Sequence, residues 1–253
     1  MDRTFTGIHE KLVRAYENIR NLDTEVARFF ESSDYPVFPY QDKQALAKAL
    51  DYHERRPIPL RFSVLSGEIV HQLRSCLDHV SWALSAESYR LAHPTVIEFP
   101  IFKVPPTRKK SLAAYERKIK GIRDPGALIL IELLQPYNSP DPLCSSLWIV
   151  HDMDITDKHR GLVLCVPTPA IFVPMDLFNR FLSYERGEPG SVPVDVGAEL
   201  HNNPQILPQI AFREFGGRGV EPIVQGLTEL HNFVVQIVQR FEALSSFVGR
   251  FPY

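Results

Sequence analysis

The sequence predicts an α+β fold that is mostly helical: a helical bundle of long N-terminal, central and C-terminal helices with a small antiparallel β-element. Three observations carry this. Long stretches near both ends and in the middle repeat apolar residues at three-and-four spacing. Short apolar runs broken by Gly and Pro concentrate between 161 and 219. No internal repeat or low-complexity linker divides the chain, so residues 1–253 read as a single domain, with the bundle in 1–160 and 220–253 and the β-rich segment in 161–219.

Each element follows from its own pattern. Ile8–Glu31 places Ile8, Leu12, Ala15, Ile19, Leu22 and Val26 on one helical stripe without a proline. The following SSDYPVFPY alternates and breaks, which predicts extended chain. Lys43–Asp51 reads as a short helix or an edge, and PIPLRFSV as a strand or an extended lead-in. Ser63–Tyr89 is the central helix. VIEFPIF is extended, and Ser111–Lys120 is a charged surface helix. Asp124-Pro125 opens the helix carrying ALILIELL, with Asp at N-cap and Pro at N1. Asp141-Pro142 repeats that signal ahead of Leu147, Trp148 and Val150. GLVLCV, IFVPMDLF, PVDVGAEL and QILPQIAFREF read as strands or extended segments. Val220–Phe247 is the last helix, with Leu227, Leu230, Val234, Ile237 and Phe241 in its stripe.

Composition narrows the function. A 44% apolar and 23% charged chain of 253 residues can bury a substantial core. A net charge of -2 offers no global field for polyanions, so a nucleic-acid partner needs a local basic patch. Cys76, Cys144 and Cys165 are odd in number and widely spaced, which argues against a disulfide framework or a zinc knuckle and predicts reduced thiols. That and the lack of a basic-then-apolar leader in MDRTFTGIHEKL point to a cytoplasmic setting. No apolar run approaches the roughly 20 residues a bilayer requires, so no membrane association is expected.

The chemistry gathers on the central helix. Ile69, Val70, Leu73, Cys76, Leu77 and Val80 fall in one arc and predict its core face. The opposite arc, roughly 140° wide, carries Glu68, His71, Arg74, Ser75, Asp78, His79 and Trp82. A solvated helix face ordinarily carries Lys, Glu and Gln, and this arc has no lysine. Histidine is the side chain best matched to proton transfer near neutral pH. The same residues can equally form a buried polar layer, with Arg74–Asp78 as a helix ion pair. A second cluster, HDMDITDKHR, stands where a helix gives way to a strand. Its Asp157, Lys158, His159 and Arg160 suit either a helix C-terminus facing the dipole or an anion-binding corner. Two dense polar clusters in one domain are expected to meet.

Arg74-Ser-Cys-Leu-Asp-His79 resembles the R-x4-H motif of the HEPN superfamily, many of whose members are metal-independent ribonucleases in toxin–antitoxin and phage-defence systems. The chain is also similar to a group of uncharacterised bacterial proteins that pair an LRS-x-LDH helix with a later DKHR, here Leu73–His79 and Asp157–Arg160. The HEPN resemblance implies that Arg74 stabilises a scissile phosphate and His79 moves the proton of an RNA 2′-hydroxyl, across a homodimer axis and without a cofactor or metal. His71, Asp78, Asp157, Lys158, His159 and Arg160 would support the site or bind the anion. Residues five apart in a regular helix point about 140° away from each other, so Arg74 and His79 need a bend, long side chains or a second subunit to converge.

Three functional readings therefore stand: an RNA endonuclease, or an RNA- or nucleotide-binding relative of one; a non-catalytic binding or assembly protein whose polar clusters are one structural network; and a metal-dependent hydrolase built on Glu68-x-x-His71 with Asp78, His79, His151, Asp154 and His159. No P-loop, dinucleotide fingerprint or nucleophile elbow is present. Phe215-Gly-Gly-Arg-Gly219 reads as a flexible turn, and Trp82 and Trp148 as core or interface residues.

Overall fold

The computed structural model of the chain describes residues 3–31, 58–165 and 210–248, together with 180, 183–184, 186–187 and 189–193. The fold is α+β and mostly helical. Among the described residues its elements are α1 (Arg3–Glu31), α2 (Leu60–Leu84), α3 (Glu87–Ala92), α4 (Lys109–Ile119), α5 (Pro125–Leu133), α6 (Ser146–Arg160), β1 (Leu164–Cys165), β2 (Ala211–Phe212), β3 (Glu221–Pro222) and α7 (Ile223–Val248), with a 3-10 turn at Pro136–Asn138. The three short strands form one sheet in the order β1-β2-β3, with Ala211 opposite Pro222 and Phe212 opposite Glu221 in antiparallel register. Most of segment 161–219, including IFVPMDLF and all of PVDVGAEL after Pro193, lies outside the described residues, as do SSDYPVFPY and Lys43–Asp51.

The chain groups into two compact units. One comprises Met1–Glu25, Pro59–Leu164 and Ala211–Tyr253; the other comprises Val26–Ile58 and Cys165–Ile210. In the second, Phe29 and Phe30 meet edge to face with centroids 5.3 Å apart.

The core of the first unit is the one the periodicity predicts. Ile8, Leu12, Ala15, Ile19 and Leu22 of α1, Ile69, Val70, Leu73, Cys76, Leu77 and Val80 of α2, and Leu227, Leu230, Val234, Ile237 and Phe241 of α7 are all buried. Helix α2 packs on both α7 and α6. Polar contacts lock α1 in place: His231 Nε2 lies 3.1 Å from the Leu12 carbonyl, and His9 Nε2 lies 2.8 Å from Glu242 Oε2.

Several boundaries differ from the sequence reading, each for a tertiary reason. The central helix starts at Leu60 rather than after an extended PIPLRFSV, because Pro59 sits at the N-cap and its carbonyl accepts from Phe62 N at 3.0 Å. It stops at Leu84 rather than Tyr89. Ser85 turns extended and bridges to Ile122, and Ala86 N donates to the Gly121 carbonyl at 2.8 Å. Gly121 permits this approach, since a Cβ there would collide with Ser85 and Tyr89. The Asp124 cap is as expected, with its carboxylate accepting from Gly126 N at 2.8 Å and Ala127 N at 3.4 Å. Asp141 instead caps a turn, accepting from Leu143 N, and α6 waits for Ser145 as its N-cap. HDMDITDKHR is helical to its last residue, and α6 ends at Gly161, whose φ of +70° suits the absence of a side chain. The glycine turn 215–219 is pinned, with Gly217 N donating to the Leu143 carbonyl at 3.0 Å and Gly216 packed so closely on Ile149 that a Cβ would overlap it.

Candidate functional site

The polar arc of α2 resolves into two faces. Gly67, His71, Arg74 and Asp78 recur at four, three and four residues, which aligns them in a single stripe. That stripe turns toward α6 and the extended segment 98–102. Ser75 and His79 turn toward α1 and solvent.

On the inner stripe, Arg74 is buried, with 5% of its surface exposed. Its Nη1 donates to Asp78 Oδ1, and its Nη2 donates to the Phe99 carbonyl at 3.3 Å. Asp78 Oδ1 also accepts from Phe99 N at 2.8 Å. One residue pair on the helix thus holds both backbone groups of Phe99. Gln135 continues the tether, donating to the Pro100 carbonyl at 2.9 Å and accepting from Phe102 N at 3.0 Å. VIEFPIF is extended as predicted, but side chains rather than a neighbouring strand satisfy its backbone.

The two clusters meet through Asp154. Its carboxylate is buried and bracketed: His71 Nδ1 lies 2.9 Å from Oδ1, and Lys158 Nζ donates to Oδ2 at 2.6 Å. A buried carboxylate needs such partners, because an unpaired charge there is costly. One turn on, the Asp157 carboxylate lies against Gly67, in space that any Cβ at 67 would occupy. Burial, then the neighbouring Asp154, pushes the Asp157 carboxyl above its ordinary range. Gly67 is therefore the close-approach point of the helix pair.

His151, one turn before Asp154, is the chemically unusual member. Burial, followed by the Arg74 and Lys118 cations, pushes its imidazole down to about 4, against the pull of Asp154 and Glu98. It is therefore neutral at physiological pH. Its Nδ1 is buried with no hydrogen-bond partner among the described residues, while its ring meets Trp148 edge to face at 5.5 Å. Glu98 and Lys118 form the outer ion pair of this layer, and that hydrogen bond draws the Glu98 carboxyl below its ordinary range.

The predicted site residues thus divide. His71, Arg74, Asp78, Asp157 and Lys158 belong to the inner layer. His79 is exposed on the outer face; partial desolvation, then Lys11, draws its imidazole below the ordinary value. Lys11 Nζ donates to the neighbouring Ser75 Oγ at 3.3 Å. His159 and Arg160 lie exposed in the last turn of α6, with Arg160 Nη2 3.8 Å from Glu214 Oε2. Arg74 thus lies buried against Asp78 and the Phe99 carbonyl, and His79 lies exposed on the other face.

Sequence reading missed Gly67, Glu98 and Lys118 as members of this layer, and grouped His151 with His71, Asp78 and Asp154 only in the metal-hydrolase reading. The first had a usable signal: a glycine in register with His71, Arg74 and Asp78 marks where another backbone or side chain comes close. Glu98 and Lys118 come from distant elements and had none. Among the described residues, no group of three His, Cys, Asp or Glu side chains could hold a metal ion, and no helix is long and apolar enough to cross a membrane. No protein-family model, no curated protein and no solved structure matches the chain.

Proposed function

We propose that the protein is a non-catalytic binding protein, in which the α2–α6 polar layer is a structural network. The observation that carries this reading is the state of Arg74. A guanidinium that is to receive a scissile phosphate must be open to it, whereas this one is buried and committed to Asp78 and to the Phe99 carbonyl. Apart from His151 Nδ1 the layer's described polar groups are paired, and pairing of this kind rigidifies the joint between helices.

The test is a paired one on wild type, Arg74→Ala and His79→Ala: thermal melting, and cleavage of a mixed labelled RNA pool with chelator present. The expected result is intact RNA with every protein and a large drop in melting temperature for Arg74→Ala alone. Cleavage by wild type that disappears in His79→Ala at unchanged melting temperature overturns the proposal.

One observation favours a second reading, metal-independent RNA cleavage of HEPN type. His79 is exposed and its depressed pKa leaves it neutral near pH 7, as a general base requires. In that case Lys11 is the nearer cation for the phosphate, with Arg74 holding Asp78 in place behind it, and a homodimer would bring two such faces together.

A further inference from the structure

The flank of α6 opposite the polar layer borders a cleft of about 360 Å³. It is lined by a stripe at four-residue spacing, Trp148, Asp152, Thr156 and Arg160, and by Lys103 and Glu214. Lys103 Nζ stands 4.7 Å from the centroid of the Trp148 ring. Neither the half-buried Asp152 carboxylate nor the Thr156 hydroxyl has a hydrogen-bond or ion-pair partner among the described residues. The Arg160–Glu214 pair, at 3.8 Å and largely exposed, is too long for a hydrogen bond. Asp152 and Thr156 are therefore unspent, while Arg160 and Lys103 are held only by that long ion pair and by the Trp148 ring.

From this arrangement we infer a binding site for a single nucleoside monophosphate. Each part of such a ligand has a counterpart. A flat base stacks on the Trp148 face, displacing the Lys103 ammonium; base stacking outweighs an exposed cation–π contact. The amino edge of the base or the ribose hydroxyls donate to Asp152, and Thr156 supplies a further donor and acceptor. The phosphate goes to the Arg160 fork and to the Lys103 ammonium released from the ring. Trp148 and Arg160 stand roughly three turns apart, about 18 Å of helix rise, and a helical side chain at 160 leans back toward the N-terminus, which carries a phosphate contact toward the stacked base. The volume is near the lower end of small-molecule sites, about 300–1,000 Å³, which suits one nucleotide rather than a strand. One wall is fixed in place, because the glycine turn that bounds the cleft at Gly216 is hydrogen-bonded to the Leu143 carbonyl through Gly217 N.

This inference rests on the reading of the protein as a binding protein and assigns its ligand class. The experiment is isothermal titration of the full chain with adenosine, guanosine, cytidine and uridine 5′-monophosphates, the corresponding nucleosides, and inorganic phosphate. At least one monophosphate is expected to bind at one site per chain. Arg160→Ala should weaken it about tenfold, the effect of losing a charge-assisted contact, while leaving nucleoside binding unchanged. Asp152→Asn should weaken nucleotide and nucleoside alike. Both replaced groups lie on the cleft surface, so melting temperatures should match wild type; Trp148→Leu should weaken nucleotides and nucleosides alike, and if it melts early Trp148→Phe, with a smaller stacking face, takes its place. Absence of saturable heat with all four monophosphates, equal affinity for inorganic phosphate, or indifference to both Arg160→Ala and Asp152→Asn overturns the inference. The function reading fails separately, through RNA cleavage that depends on His79, whatever the titration gives.

Discussion

Replacing Arg74 by alanine is the sharpest probe of the polar layer. The change removes a charge-assisted hydrogen bond to Asp78 and leaves the Phe99 carbonyl without its donor. A charge-assisted bond contributes about 1.5–3 kcal/mol and an unsatisfied buried acceptor costs about 1–3 kcal/mol. Breaking a buried pair by deleting one partner costs about 3–5 kcal/mol in total. Asp78 is one-third exposed, so water takes up part of its lost pairing and the low end applies. The expected loss is about 3 kcal/mol. For a chain of this size each kcal/mol moves the melting midpoint by about 2–4 °C, so the midpoint should fall by about 6–12 °C in a circular-dichroism melt. Arg74→Lys should recover only part of this, since an ammonium cannot fork to both partners. A midpoint within about 2 °C of wild type for Arg74→Ala, half the per-kcal scale above, would refute the argument that the guanidinium holds Phe99.

Further outcomes follow from the same layer. His151 has a folded-state pKa near 4 against an ordinary 6.5; the unfolded chain binds the proton more readily, so stability is intact above about pH 6.5 and falls as pH drops toward 4, by about 2–3 kcal/mol. Comparing urea midpoints at pH 7 and 4.5 for wild type and His151→Phe should show the pH dependence shrinking in the variant. Gly67→Ala should destabilise, because its methyl group displaces the Asp157 carboxylate; in an Asp157→Ala background the same change should stabilise by up to about 1 kcal/mol, the helix-propensity gain. The reversal of sign in a double-mutant cycle checks it. Asp124→Ala should cost about 1 kcal/mol by loss of the α5 cap, read as a shift in denaturant midpoint. His79→Ala, on the exposed face, should change stability by less than about 0.5 kcal/mol, so that any effect it has on RNA is functional.

What could be read from the chain follows from how far each signal reaches. The stripes of α1, α2 and α7 are local and long, and their buried residues are those the spacing selects. The Asp124 cap is equally local. Helix ends set by distant chain were illegible: Ser85 leaves the helix because Gly121 and Ile122 pair with it. Asp141 carries the same dipeptide as Asp124 yet caps a turn, since dipeptide chemistry permits both and packing chooses. At the site, the expectation that the two clusters meet was sound because unpaired buried charge is costly, and His71 and Asp154 are where they join. Which member would be buried was not readable. A helical wheel places Arg74 on the polar arc but cannot say that the arc is covered by segment 98–102. Trp148 was expected in a core or interface, and it is half-buried in the lining of a cleft shared with Asp152, Thr156 and Arg160.

The extended segment that α2 holds has a consequence for how the chain tolerates change in length. Its backbone is gripped at Phe99, Pro100 and Phe102 by three side chains from two separate places, Arg74 and Asp78 on α2 and Gln135 just beyond α5. A strand held by a ladder can slip by two residues and regain the same bonds. Here no second register exists, because the grips are single and unequally spaced. Extra residues placed between His93 and Val96, in exposed chain outside the grips, are absorbed as slack. One residue added between Phe99 and Phe102 detaches either the guanidinium and carboxylate or the amide, and the Phe99 ring with them from its edge-to-face seat on Phe241. The tether thus works as a ruler for this stretch, accepting variation on its N-terminal side and none within.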